Sequence, residues 1–248
     1  YTYCVNSLQD NKCVAVGCQD FMSNLLPDEL SKQLNTFLGS QTFLSRTFSR
    51  VNFIYVSHKA CLVPKAYFVA ENIKQIFEFN HVLAIDEILD SQYVSALDSY
   101  LISSTPASVA SVMVNKYKDV NFYHQSYALL LSWMRYVKTA KDDAPQVLAH
   151  VHSNVLDVVV ATPYKLLFHN SFEFFKPEDA LYYIGYVYQT LELKAAKNPL
   201  QLAGSVELND GLYAALEAVF GEMYFFGQLY KDLNMKVAKH QFVNLVNL

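Results

Sequence analysis

The sequence predicts an α/β protein built as two lobes, and three observations predict it. Residues 147–193 hold three β-rich runs, joined by short turns, that lead into one amphipathic helix. Residues 1–140 follow a similar plan: a β-rich start, a helix, then alternating strands and helices. Between the two, Lys138–Pro145 reads K-T-A-K-D-D-A-P, a polar stretch that breaks the hydrophobic periodicity. The expected organisation is a first lobe over 1–140, with an inserted segment at about 60–98, and a second lobe over 146–248.

Size and composition agree with this plan. A chain of 248 residues suits one large domain or two lobes. Apolar residues at 52% and charged residues at 17% exclude a disordered chain. The net charge of −4, with no cluster of Lys and Arg, argues against nucleic acid, whose phosphates call for a basic stripe. No apolar run reaches the roughly 18–20 residues of a membrane span, and no signal peptide is visible, so a cytoplasmic protein is expected. The chain opens in strand-like residues, Tyr1 to Val5, which leaves room for an upstream segment. Cys4, Cys13, Cys18 and Cys61 lack the C-x2-C spacing of a zinc knuckle and read as free thiols in a reducing compartment. The 18 Tyr and 17 Phe fit an aromatic core, or an aromatic interface with a partner.

In the first lobe, residues 1–6 and 12–20 form a hairpin with Asp10-Asn11 at its turn. Pro27-Asp28-Glu29 opens a helix to about Leu44, with the proline in the first turn and the acids at the positive end of the dipole. Leu30, Leu34, Phe37 and Leu38 make its buried stripe. Val51–Ser57 alternates as a strand, residues 65–80 suit a helix, and Val82–Leu89 and Ser99–Ser104 are extended. Helices over about 107–118 and 126–137 flank a short strand at Val120–His124; the second carries Trp133, the only tryptophan.

In the second lobe, strands fall at 147–152, 155–161 and 165–174. Pro177-Glu178-Asp179 opens a helix whose inward face holds Leu181, Ile184, Val187, Tyr188 and Leu191. Leu200–Val206 is a fourth strand. Asn209 caps the next helix, whose stripe is Leu212, Ala215, Leu216 and Val219. The tail holds a strand around Met223–Leu229 and a short apolar helix.

A β-β-β-α unit is the front half of a ribonuclease-H-like lobe. Particular residues carry a closer likeness: L-V-P at 62–64, N-S-F-E-F at 170–174, P-E-D-A-L-Y-Y-I at 177–184 and L-A-G-S-V at 202–206. In this order and spacing they resemble a bacterial family of unknown function with an actin-like ATPase fold. The resemblance spans nearly the whole chain. It implies two ribonuclease-H-like lobes arranged as in the actin, sugar kinase and heat-shock ATPase superfamily, and it implies no activity. One departure is Lys176, where a Thr or Ser cap is expected before the proline.

An ATPase of that superfamily grips phosphate with two turns rich in Gly and Asp, which bring backbone N–H groups and a magnesium-positioning carboxylate to the ligand. In the second lobe that turn falls at His152-Ser153-Asn154-Val155, with neither residue type. In the first lobe the hairpin S-L-Q-D-N-K at 7–12 has Asp10 and no Gly. Ala203-Gly204-Ser205 is a partial match to the Gly-Gly pair of an adenosine site, although an isolated glycine more often serves backbone geometry. Gly204 and Ser153 are therefore the candidate cofactor-binding residues. ATP with magnesium is the cofactor the scaffold would admit, but no motif supports it and none is expected.

His150 and His152 share a strand face, with Asp157 on the next strand; structural histidines are the expected reading, and no metal site is assigned. Ser153 and Ser171 lack the G-x-S-x-G elbow of a hydrolase, and no catalytic residue is assigned. Asp142-Asp143 reads as solvated linker. Tyr182, Tyr183, Tyr186 and Tyr188 crowd one helix, so some must face outward. The function expected is that of a non-catalytic pseudo-ATPase acting through protein contacts. The alternatives are a divergent nucleotide-binding ATPase or sugar-kinase-like enzyme, and a protein that holds nucleotide without cleaving it.

Overall fold

A computed structural model describes residues 1–9, 12–19, 25–140, 143–227, 239–243 and 245. The chain forms two compact units. The first comprises Tyr1–Thr2, Cys18–Tyr55 and Lys59–Tyr127; the second comprises Tyr3–Gly17, Val56–His58 and Ala128–Leu248. The division runs through a helix, Gln125–Val137, which precedes the polar stretch at 138–145.

Two strands open the chain, β1 (Thr2–Ser7) and β2 (Lys12–Cys18), paired as a two-stranded sheet. The expected turn residues Asp10 and Asn11 lie outside the described residues. Helix α1 (Pro27–Ser40) buries Leu34, Phe37 and Leu38, as its stripe predicts, with Leu30 half-buried. The helix ends at Ser40, short of Leu44: Gln41 is extended, and Thr42–Ser45 turns instead as a 3-10 helix that still buries Leu44. Strand β3 (Val51–Tyr55) pairs in parallel with a later strand, Val120–His124.

Residues 60–106 have a small core of their own. Strands β4 (Ala60–Pro64), β5 (Glu87–Val94) and β6 (Ser99–Pro106) form an antiparallel sheet in the order β4-β6-β5. Cys61, Phe77 and Ile102 are buried at its centre, against Val63, Phe68, Ile73 and Leu89. The helix expected over 65–80 is broken into 3-10 turns at Lys65–Tyr67 and Ala70–Asn72, followed by α2 (Ile73–Glu78). Phe68 and Val69 are extended between the turns, and the Phe68 ring stacks on Tyr100 with centroids 3.8 Å apart. Of the extended stretch expected over Val82–Leu89, strand begins only at Glu87; the Glu87 side chain accepts from the Ala84 N–H at 3.0 Å and from Lys59 Nζ at 2.9 Å, closing a turn ahead of β5.

Helix α3 (Ala107–Lys116) buries Val109, Ala110 and Met113 and packs on α1, where Lys116 Nζ donates to the Leu38 carbonyl at 3.1 Å. Strand β7 (Val120–His124) and helix α4 (Gln125–Val137) follow. Trp133 on α4 is fully buried and meets the Phe226 ring edge-on.

The second unit holds one five-stranded sheet. Its strands are β8 (Gln146–His152), β9 (Val155–Ala161), β10 (Leu166–Glu173), β11 (Leu200–Gly204) and β12 (Tyr224–Phe225), in the order β10-β9-β8-β11-β12. The first three form an antiparallel meander, and β11 and β12 join in parallel. Helices α5 (Pro177–Thr190) and α6 (Gly211–Phe220) bring Ile184, Val187, Leu216 and Phe220 into one core with Val147, Val151, Leu156, Val158 and Leu202. These strand positions alternate, which commits one face of the sheet to the helices and turns the other face away from them.

Three details depart from expectation. The fourth strand stops at Gly204 instead of Val206, because Gly204 takes a left-handed φ of 85° and turns the chain. The cap of α6 is Asp210 and not Asn209; the Asp210 carboxylate accepts from the Tyr213 N–H. The described part of the tail holds the two-residue β12 and one 3-10 turn at Lys239–Phe242; residues 228–238 lie outside the description.

Candidate functional site

Ser153 and Gly204 come to the same edge of the second sheet. Gly204 pairs with Val151 on the parallel strand β8, and Ser153 directly follows the last residue of that strand, His152. Both therefore stand at the carboxyl end of parallel strands, where open α/β sheets bind ligands. The local geometry accounts for each residue in structural terms. Ser153 opens a two-residue hairpin turn between β8 and β9 with φ of 56°, a position that favours glycine when such a turn is tight. The Asn154 carbonyl accepts from the Phe174 N–H at 2.8 Å, and its side chain donates to Glu173 at 3.1 Å, so the turn is tied to the end of β10. At Gly204 a Cβ would lie 1.8 Å from the Val151 carbonyl oxygen, and the Ser205 N–H donates to that same oxygen at 2.7 Å. The missing side chain makes room for backbone of the neighbouring strand.

Just inside this turn lies a polar cluster on the sheet face opposite the helices. His150 stands directly across from Asp157 in the β8–β9 ladder, and Ser171 stands across from Asp157 on the other side. The His150 ring Nδ1 lies 3.4 Å from Asp157 Oδ2, and the Ser171 hydroxyl donates to Asp157 Oδ1 in a short hydrogen bond. His152 and His169 flank them by the period of two. Asp157 is completely buried. Burial alone would push its carboxyl up, yet the His150 hydrogen bond and charge, with His169 and Ser171, hold it down at about 2. Burial, then the neighbouring His150, lowers His152 to about 4, and burial also lowers His169.

The chemistry open to this cluster is limited by its closure. The Glu173 carboxylate touches the expected phosphate turn, where it accepts from the Asn154 side chain, and Asp157 lies deeper, with both its oxygens engaged inside the sheet. Among the described residues no group of three or more His, Cys, Asp or Glu side chains is placed to hold a metal ion. The register brings His150 and Asp157 together as their spacing suggests, and adds His169 and Ser171, which sequence reasoning left out. The signal was available: 169 and 171 share a face of β10 by alternation, but only the ladder register shows that this face meets Asp157.

The tyrosines of α5 divide by face. Tyr188 is buried and donates to the Asn198 carbonyl at 2.7 Å, and Tyr183 stacks on Phe172 at 4.4 Å. Tyr182 and Tyr186 point outward, their rings 6.4 Å apart and near parallel. In the first unit, large apolar side chains are exposed at Phe79 (90%), Val82 (84%), Ile85 and Ile88, ahead of and along β5. Among the described residues, no helix is long and apolar enough to cross a membrane. Among the described residues Cys4, Cys13, Cys18 and Cys61 form no disulfide, and the Cys4 and Cys13 sulfurs lie 3.0 Å apart.

No curated protein matches the chain in sequence. Among solved structures, a protein of unknown function with an actin-like ATPase fold from Bacteroides thetaiotaomicron VPI-5482 is 21% identical, covers 91% of this chain and 86% of its own, and superposes with a TM-score of 0.79. A PilM–PilN type IV pilus biogenesis complex matches at 11% identity over 99% of this chain and 94% of the other, with a TM-score of 0.60. The fold is thus that of the actin-like ATPases, with ribonuclease-H-like lobes as the sequence predicts. A model of the family described as "Protein of unknown function (DUF3822)" matches residues 1–221, and the chain belongs to that family.

Proposed function

We propose that this protein is a non-catalytic member of the actin-like superfamily, a cytoplasmic pseudo-ATPase that works by binding another protein. The observation that carries the reading is the run of exposed apolar side chains at Phe79, Val82, Ile85 and Ile88, on a segment that has its own core and has no need of them for folding. Exposed apolar surface of this kind, leading into an edge strand, fits a protein interface. Two further facts support the reading. The turn at Ser153-Asn154 offers neither Gly nor Asp, the Glu173 carboxylate beside it accepts from the Asn154 side chain, and the buried Asp157 is spent on His150 and Ser171. A similar fold, PilM, is found in a complex with PilN. The lack of a basic cluster in a chain of net charge −4 argues against nucleic acid as the partner.

The test has two arms. Thermal shift and turnover measurements with ATP and magnesium are expected to show neither stabilisation nor hydrolysis; micromolar binding with turnover overturns the reading. In cells, a combined Phe79→Ser, Val82→Ser and Ile85→Ser variant is expected to keep its melting temperature and lose the proteins that crosslink to the wild type. Unchanged crosslinks would show that this surface is not the interface.

A further inference from the structure

We propose that a groove between β5 and β7 in the first unit binds an extended segment of a partner polypeptide through a Lys or Arg side chain. The proposal rests on the protein-contact reading above and gives it a specific site. Strand β5 pairs with β6 and strand β7 with β3, and among the described residues neither has a second neighbour. An edge of this sort presents backbone N–H and C=O groups, which an added extended chain satisfies. The edges are close together: the Gln92 side-chain amide on β5 donates to the Phe122 carbonyl on β7.

Between them lies a cavity of about 380 Å³, lined by Asp90, Gln92, Tyr93, Phe122, Tyr123 and Tyr127 among others. Its chemistry is one-sided. Asp90 supplies the formal negative charge, and no Lys or Arg lines the cavity. Gln92 turns its amide nitrogen to Phe122 and to Asp90, at 3.4 Å from the latter, and among the described residues its buried oxygen has no hydrogen-bond partner. A buried amide oxygen without a donor is rare in folded proteins, and turning the Gln92 amide toward the groove would let a ligand N–H meet it. The Tyr123 and Tyr127 rings stack with centroids 5.2 Å apart, adding aromatic faces that attract a cation. A carboxylate, an unfilled acceptor and tyrosine faces together select a cationic group rich in N–H donors. The two strand edges select a polypeptide to carry it over a free amine.

A library of random heptapeptides displayed on phage, selected against the full chain, tests this. Selected peptides are expected to share a Lys or Arg. Labelled and titrated by fluorescence anisotropy, they should bind Asp90→Asn roughly tenfold more weakly than wild type, the scale of one charge-assisted hydrogen bond. Replacing the shared basic residue with Glu should abolish binding, and bound peptide should slow amide exchange at 90–93 and 120–123. No enrichment, peptides without a basic residue, or affinity indifferent to Asp90→Asn would each overturn the proposal. Failure here alongside silent nucleotide assays removes the groove and leaves the protein-contact reading standing. ATP turnover would remove that reading by a separate measurement.

Discussion

His150 and Asp157 face each other across the β8–β9 ladder, 3.4 Å from ring nitrogen to carboxylate oxygen, and neither reaches solvent. A charge so placed is tolerated only while its partners hold it. The carboxylate is kept ionised by His150 on one oxygen and Ser171 on the other. Replacing Asp157 with Ala strands a buried imidazole and a hydroxyl, and the expected cost is about 3–5 kcal/mol in urea unfolding, the range for breaking a buried pair. Ser171→Ala removes one hydrogen bond to a charged group and is expected to cost about 1.5–3 kcal/mol.

The same cluster sets the acid response. His152 titrates near 6.5 when unfolded and about 4 when folded. Between those values the unfolded chain binds more protons, so stability is fully present above pH 6.5 and falls as pH drops toward 4. His169, lowered by burial, adds a loss of the same sign. Asp157, held at about 2 against an ordinary 3.8, adds a further loss as pH falls from 3.8 toward 2. Melting curves across this range should decline in two stages. His152→Asn is expected to shrink the upper stage to the part that His169 supplies and leave the lower one.

Gly204 should tolerate no side chain. Its φ of 85° and the 1.8 Å approach of a Cβ to the Val151 carbonyl mean that Gly204→Ala must move backbone where β11 and β8 meet at their carboxyl ends. The expected loss exceeds about 3 kcal/mol, read as a lower urea midpoint with an unchanged slope. Since this effect needs no ligand, it should be the same with and without nucleotide.

Helix caps give a paired prediction of opposite sign. Asp210→Ala removes the side-chain acceptor for the Tyr213 N–H and is expected to cost about 1 kcal/mol, while Asn209→Ala should be silent. At α5 the order reverses. Asp179 already accepts from the N–H groups of Phe175 and Lys176, at 3.1 and 3.2 Å, but a lysine side chain has nothing to offer the helix N-terminus in return. Lys176→Thr would complete the reciprocal cap and is expected to stabilise the protein by about 0.5–1 kcal/mol.

The second sheet was legible before any coordinates because its signals are local and repeated. Val155–Ala161 is a short apolar run bounded by turns, Pro177-Glu178-Asp179 marks a helix start, and the stripe from Leu181 to Tyr188 has the helical period. The stretch at 65–80 was not legible. Residues 65–80 carry a helical composition, yet the stacking of Phe68 on Tyr100, thirty-odd residues away, holds Phe68 extended between two short turns. Tertiary contact there outweighs propensity, which is worth only tenths of a kcal/mol, about 0.7 at most, per ordinary residue.

The candidate site divides in the same way. The sequence carried the likeness to an actin-like family, through motifs such as N-S-F-E-F at 170–174 and P-E-D-A-L-Y-Y-I at 177–184, the want of Gly and Asp in the turn at Ser153, and the shared face of His150 and His152. Those properties depend on residue types and on the period of a single strand. Three-dimensional pairing chose which residues meet. It set Ser171 and His150 on either oxygen of Asp157, pressed Gly204 against Val151, and opened the space between β5 and β7 where Gln92 keeps an unmet acceptor. Register between strands is a long-range choice, decided by the whole core at once, so no single stretch of residues announces it.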